Sequence, residues 1–172
     1  MFGFLKSGPA PEGPTGIAGN VEIAKPVEEV YALLDWSHPE NAQRQRGATI
    51  TSIESETGRF EMRLPALPKH VFEIAVTEEV PNGSYGFTVT MDPIVGRMAS
   101  LHELYTLERL GPETCRLWLL NTVTFTEGLN TKQYKEELRK MTVASHNALA
   151  KFKLHAEQGL EAVTAMDGKI TV

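Results

Sequence analysis

LNTKQYKEELRKMTVASHNALAKFKLHAEQG, residues Leu129 to Gly159, holds the longest unbroken helical periodicity in the sequence. Asn130 is a capping residue and Gln133 stands three positions on. Leu129 and Tyr134 are placed to close around the cap as a hydrophobic staple. Some thirty helical residues would reach about 45 Å, longer than a small domain is wide, so the helix must lie across another element. On a helical wheel its apolar side is Tyr134, Leu138, Met141, Leu149, Phe152 and Ala156, with Ser145 in the middle. Lys135, Glu136, Arg139, Lys140 and Lys151 fall opposite.

Upstream of the helix the period changes from 3.6 to 2. Ala48 to Glu54 reads as a strand, with Thr57-Gly58 as a turn after it. Phe60, Met62 and Leu64 then alternate with Arg59, Glu61 and Arg63. His70, Phe72, Ile74 and Val76 share one face of a strand that runs to about Val80. Pro81-Asn82-Gly83 is a hairpin signal. Beyond it Tyr85, Phe87, Val89 and Met91 share a face, and Asp92-Pro93 with Gly96 makes a loop. Met98 to Arg109 and Cys115 to Thr126 are two long strands joined at Gly111-Pro112-Glu113.

Nearer the start, Asn20 to Lys25 reads as a short strand ended by Pro26. A helix follows, with Val27, Val30, Tyr31 and Leu34 on its apolar face and Glu28 and Glu29 in the first turn, where the dipole favours acids. Asp35-Trp36-Ser37 breaks it, and Pro39 opens a second short helix through Arg46. Residues 1–16 hold Pro9, Pro11, Pro14 and several glycines and read as a flexible lead-in. Phe2, Phe4 and Leu5 at its start are either disordered or docked. The domain is expected over residues 17–163, with residues 164–172 as a tail. Strands joined by hairpins, with helices at the two ends, argue for an α+β fold of six to seven antiparallel strands.

This order of elements resembles the START-like superfamily, also called the SRPBCC or helix-grip fold, which includes Bet v 1-like and polyketide cyclase/dehydrase-like proteins. The most specific local match is Val21-Glu22-Ile23-Ala24-Lys25-Pro26-Val27-Glu28-Glu29-Val30-Tyr31-Ala32-Leu33-Leu34-Asp35. It looks like the family's opening strand, a Pro-x-Glu-x-Val-Tyr motif and the first helix. The resemblance covers about residues 17 to 160 and brings no shared catalytic residues. It implies a curved sheet gripping the C-terminal helix, with a cavity between them for sterols, lipids, polyketides or flavonoids. The expected lining is Phe60, Met62, Phe72, Ile74, Phe87, Val89, Glu103, Tyr105, Leu119 and Asn121 from the strands. From the helix it is Leu138, Met141, Ser145, Leu149 and Phe152.

The totals exclude several other classes. The chain has 172 residues, enough for one domain with a sizeable core. Its net charge is −5 with the signs interspersed, so no basic patch marks a nucleic-acid binder. No apolar run reaches the ~20 residues of a membrane span. The opening residues are broken too soon by Gly8 and Pro9 to be a secretory signal. The single cysteine, Cys115, lies in a strand and reads as a buried thiol in a reducing compartment, so the protein is expected to be cytoplasmic. His38, His70, His102, His146 and His155 are not spaced as metal ligands, and no nucleophile elbow, dinucleotide fingerprint or phosphate loop is present. No metal or cofactor is expected.

Four features bear on chemistry. Ser145 either offers its hydroxyl to a ligand or bonds the Met141 carbonyl of its own helix. Glu103 shares a strand face with Leu101, Tyr105 and Leu107. If that face points inward, Glu103 is a buried acid that needs a partner or a raised pKa. A slip of one residue would turn His102 inward instead. Asn121, among Cys115, Leu117, Leu119, Val123 and Phe125, is a buried amide that a ligand, the backbone or water must satisfy. Trp118 and Leu120 fall on the outward face, where they mark either a homodimer contact or an error of register.

Three functions fit: a binding protein for a small hydrophobic molecule, a cyclase/dehydrase-type enzyme using Glu103 with Tyr105 or Asn121, or an interaction protein with a filled interior. A cavity with two or more convergent polar groups favours the enzyme. An apolar cavity favours binding, and a closed interior favours neither.

Overall fold

The structure is a computed structural model that describes residues 8–53 and 56–170; Phe2, Phe4 and Leu5 lie outside the described residues. Its elements are β1 (Thr15–Ile23), α1 (Val27–Leu34), α2 (Ala42–Gln45), β2 (Thr49–Ser52), β3 (Arg59–Arg63), β4 (Val71–Val80), β5 (Ser84–Asp92), β6 (Met98–Gly111), β7 (Thr114–Phe125), α3 (Thr131–Gln158) and α4 (Leu160–Ile170). The seven strands form one antiparallel sheet in the order β1-β7-β6-β5-β4-β3-β2. The α+β reading therefore holds. Sequence neighbours pair through hairpins from β2 to β7, and the first strand closes on the last.

Several boundaries differ from those read in the sequence. β1 starts at Thr15, upstream of the expected Asn20, because it pairs with β7 along its whole length, from Thr15 opposite Val123 to Ile23 opposite Cys115. The second helix is one turn over Ala42–Gln45, shorter than the expected Pro39–Arg46. Asn41 ends its approach by capping: its side chain accepts from the backbone N–H groups of Gln43 and Arg44 and donates to the Leu34 carbonyl. Residues 164–170, expected as tail, continue α4, whose Val163 is buried. Gly8 to Ala10, in the expected lead-in, pair with the start of α3. Ala10 N–H donates to the Leu129 carbonyl, and Thr131 N–H to that of Gly8.

α3 begins as the sequence demands. Asn130 and Gln133 form a reciprocal capping box that satisfies two otherwise orphaned donors. Gly159, at φ 84°, ends it in a conformation that glycine tolerates, and α4 departs from there.

α3 packs most closely on β1 and β7, and its inner side chains also reach β6. Leu138 and Met141 pack on Ile17, Leu101 and Val123, while Leu149 and Phe152 join the main core. That core holds Ile23, Val27, Val30, Tyr85, Leu117 and Leu119 and seats α1 on the concave face. The opposite face carries Trp118 and Leu120, 41% and 42% exposed, so they are outward because the register puts them there.

Candidate ligand cavity

The inner face of the sheet is set by one row of paired residues. Phe87 on β5 faces Glu103 on β6, which faces Asn121 on β7, which faces Ile17 on β1. The register thus turns Glu103 inward and leaves His102 on the other face, hydrogen-bonded to Thr77. Two positions on, Tyr105 faces Leu119 in the same way.

Aromatic rings run across this face from α1 to α3. Tyr31 meets Tyr85 edge-on at 5.8 Å, and Trp36 meets Phe87 edge-on at 5.1 Å. Phe87 stacks with Tyr105 at 6.1 Å, and Tyr105 meets Phe152 of α3 at 5.4 Å. Edge-to-face and offset stacks are the favoured ring geometries, so these side chains hold each other rigidly.

Beside the rings a cavity of about 460 Å³ remains between the sheet, α1–α2 and α3. Its walls include Leu33, Leu34, Trp36, Met62, Leu64, Phe72, Phe87, Val89, Met91, Met98, Leu101 and Phe152, with Val163 from α4. Glu103 and Tyr105 are its polar groups on the sheet side. Arg46, Lys151, Asn147, Gln43 and His155 line it from the helices.

The Tyr105 hydroxyl donates a 2.6 Å hydrogen bond to Glu103 Oε2. Burial pushes the Glu103 carboxyl above its ordinary value, and the phenol's bond pulls partly the other way. Tyr105 is also raised, first by burial and then by the Glu103 charge. Glu103 is half-buried, and its exposure opens on the cavity. The pair is thus a carboxyl biased toward its neutral acid, held by a phenol, on the wall of an apolar chamber. Such a group can donate a hydrogen bond to a ligand oxygen, or exchange a proton with it.

Of the expected lining, Met62, Phe72, Phe87, Val89, Glu103, Tyr105 and Phe152 meet around this cavity. Phe60, Ile74, Leu119, Asn121, Leu138, Met141, Ser145 and Leu149 are outside its lining. Leu119, Leu149 and Ile74 are instead buried in the core. Asn121 Nδ2 donates to Ser145 Oγ at 2.6 Å, and Ser145 Oγ donates to the Met141 carbonyl at 2.9 Å, while Asn121 Oδ1 is buried without a hydrogen-bond partner. Of the two readings of Ser145 the bond to the Met141 carbonyl is present, and a bond from Asn121 of β7, which neither reading named, joins it.

The helix wall of the cavity is Ala144, Asn147, Ala148, Lys151, Phe152 and His155, a face rotated from the apolar stripe. The helical wheel put Lys151 on the side opposite the apolar stripe and left His155 off that stripe. His155 is in fact buried, with Nε2 against Gln45 Oε1, and is held below its ordinary pKa by burial first and by Arg46 second. The signal that was available is the pair of alanines at i and i+4, since small side chains leave space where large ones fill it. Cys115, as expected, is a buried thiol, raised by burial. Among the described residues no group of three or more His, Cys, Asp or Glu side chains could hold a metal ion, and no helix is long and apolar enough to cross a membrane.

No protein-family model matches this sequence, and no curated protein matches it at a significant level. Solved structures do resemble it. A START superfamily protein from Mycobacterium smegmatis superposes with a TM-score of 0.51 at 16% identity, covering 81% of this chain and 99% of its own. The fold is START-like. DynU16, from the dynemicin biosynthetic locus, gives a TM-score of 0.61 at 17% identity over 86% of this chain. This chain spans about half of DynU16, covering 49% of it. The Zhui aromatase/cyclase of a Streptomyces species gives 0.57 at 12% identity, over 85% of this chain and 98% of its own. At these identities the likeness is one of START-like fold alone.

Proposed function

We propose that the cavity binds a small hydrophobic molecule of lipid, polyketide or aromatic type, with an oxygen of the ligand turned to Glu103 and Tyr105. The observation that carries this reading is the chamber of about 460 Å³ itself, walled by aromatic and aliphatic side chains and holding one carboxyl–phenol pair. Its volume lies within the ~300–1,000 Å³ typical of small-molecule sites.

A second reading, a cyclase/dehydrase-type enzyme, is favoured by the same pair. A carboxyl whose pKa burial raises can, when protonated, give its proton to a carbonyl or a leaving hydroxyl. As the carboxylate it can take one from the neighbouring carbon, with Tyr105 stabilising the charge. The likeness in fold to an aromatase/cyclase agrees with this reading.

Native mass spectrometry of the freshly purified protein tests the binding function. A retained, non-covalent mass that leaves on mild activation supports it and gives the ligand's composition. Protein that carries no small molecule and takes up none from a panel of fatty acids, flavonoids and aromatic polyketides would exclude it. Turnover of a reduced polyketide that Glu103→Gln abolishes, with binding retained, would select the enzyme.

A further inference from the structure

Three helical elements bring charge to the helix side of the cavity. Arg46 follows α2, Lys151 stands on α3, and both line the chamber. Asp167 comes from α4 and bridges them: its Oδ2 lies 2.8 Å from Arg46 Nη2, and its Oδ1 lies 2.6 Å from Lys151 Nζ. The two cationic side chains retain only 28% and 25% of their exposure. Cations drawn this far from water, beside an apolar chamber, need an anion close by.

The structure supplies that anion from the protein's own C-terminal helix. Asp167 is held below the ordinary aspartate range, first by the Lys151 hydrogen bond, with Arg46 adding to it. Its side chain is 37% exposed, on a helix that follows Gly159 and packs back on α3 with Val163 buried. For this carboxylate to turn out to water both ion pairs must be given up, and an incoming carboxylate on the same two cations would restore them. Without it two cations would be left at the cavity wall, flanked by the side chains of Asn147 and Gln43.

We infer that the ligand of this cavity is an amphipathic acid whose carboxylate is received by Arg46 and Lys151, and that Asp167 is the resident counter-ion it displaces. This rests on the binding reading above and narrows it to a class. The apolar body lies against Phe72, Phe87 and Phe152, and the acidic group lies at the helix side. Exchanging one carboxylate for another leaves the local charge unchanged, so selection falls on ligands that also fill the apolar chamber. Acetate or inorganic phosphate, lacking a body, gains nothing by the exchange.

The test uses matched probes: dodecanoate with dodecanamide, and 1-pyrenebutyrate with its primary amide, titrated near neutral pH at low salt. Each acid is expected to bind about tenfold or more tightly than its amide, the scale of one charge-assisted hydrogen bond. Lys151→Gln and Arg46→Gln should each shrink that gap by weakening the acids more than the amides. Asp167→Asn should tighten the acids and leave the amides unchanged, which a merely structural ion pair would not do. Acids and amides that bind equally well would overturn the inference and leave the binding function standing, as would an Asp167→Asn protein that loses both alike. Failure of all four probes to bind would remove the cavity reading and this inference together.

Discussion

The hydroxyl of Tyr105 donates a 2.6 Å hydrogen bond to the Glu103 carboxylate from two positions along the same strand. Residues i and i+2 share a strand face, so β6 alone presents the acid and its partner together. Burial outweighs this bond and raises the Glu103 pKa. Between the ordinary value of 4.5 and the raised one, the folded protein therefore binds more protons than the unfolded chain. Stability contributed by the neutral acid is present below the ordinary value and is lost as pH rises through the folded one.

Glu103→Gln should accordingly be as stable as the parent in acid and more stable at mildly alkaline pH. The gap in melting temperature should open by about 2–4 °C for each ~1 kcal/mol recovered. Tyr105→Phe should move the other way, because it removes the donor that holds the charge. Melting curves across pH check both, and a gap that stays constant with pH would contradict the assignment.

Ser145 shows what the sequence reveals and what it conceals. Its place in the apolar stripe correctly marks it as buried, since period and burial are local properties of a helix. Its partner is Asn121, twenty-four residues earlier on β7, and only the packing of α3 on the sheet edge brings the two together. Ser145→Ala leaves the Asn121 Nδ2 donor buried without its acceptor. The expected cost is about 1–3 kcal/mol of stability. Affinity for a hydrophobic ligand should not change, because neither residue lines the cavity. Chemical denaturation and a probe titration on the same protein separate the two effects.

The fold itself was legible because its signals are local: the capping box of α3, the alternation along β3 to β7, and the hairpin at Asn82-Gly83. The sequence left the inward turn of Glu103 open against a one-residue slip to His102, and the buried positions of Tyr105 and Leu107 on the same face decide it. The cavity wall on α3 was not legible in the same way. A wheel identifies the side chains that seek burial, and these fill space rather than leave it. The void lies instead along Ala144 and Ala148, where the side chains are short. Ala148→Phe should therefore occupy the chamber and weaken binding of a hydrophobic probe about tenfold or more, a loss of ~1.4 kcal/mol at least. Ala148 is only partly buried, so the melting temperature should change little by comparison.

The grip of α3 on β1 depends on a residue with no side chain. Gly19 stands opposite Leu119 on the inner face of the sheet, and a Cβ added there would come 3.0 Å from Leu149 Cδ1. Leu149 is only 3% exposed, so it has little freedom to withdraw. Gly19→Val adds two more carbons at the same point and must lift the helix or force Leu149 off its rotamer. Overpacking of this kind costs about 1–3 kcal/mol. Gly16, three residues earlier on the same strand, is the control. A Cβ there would meet only Leu120 Cδ1, at 3.8 Å, an ordinary contact on the exposed side. Gly16→Val should be neutral or stabilising, as a β-branched residue replacing glycine in a strand. Urea midpoints that fall for Gly19→Val and hold for Gly16→Val would locate the contact. Equal loss at both sites would mean that β1 tolerates no side chain for reasons unrelated to α3.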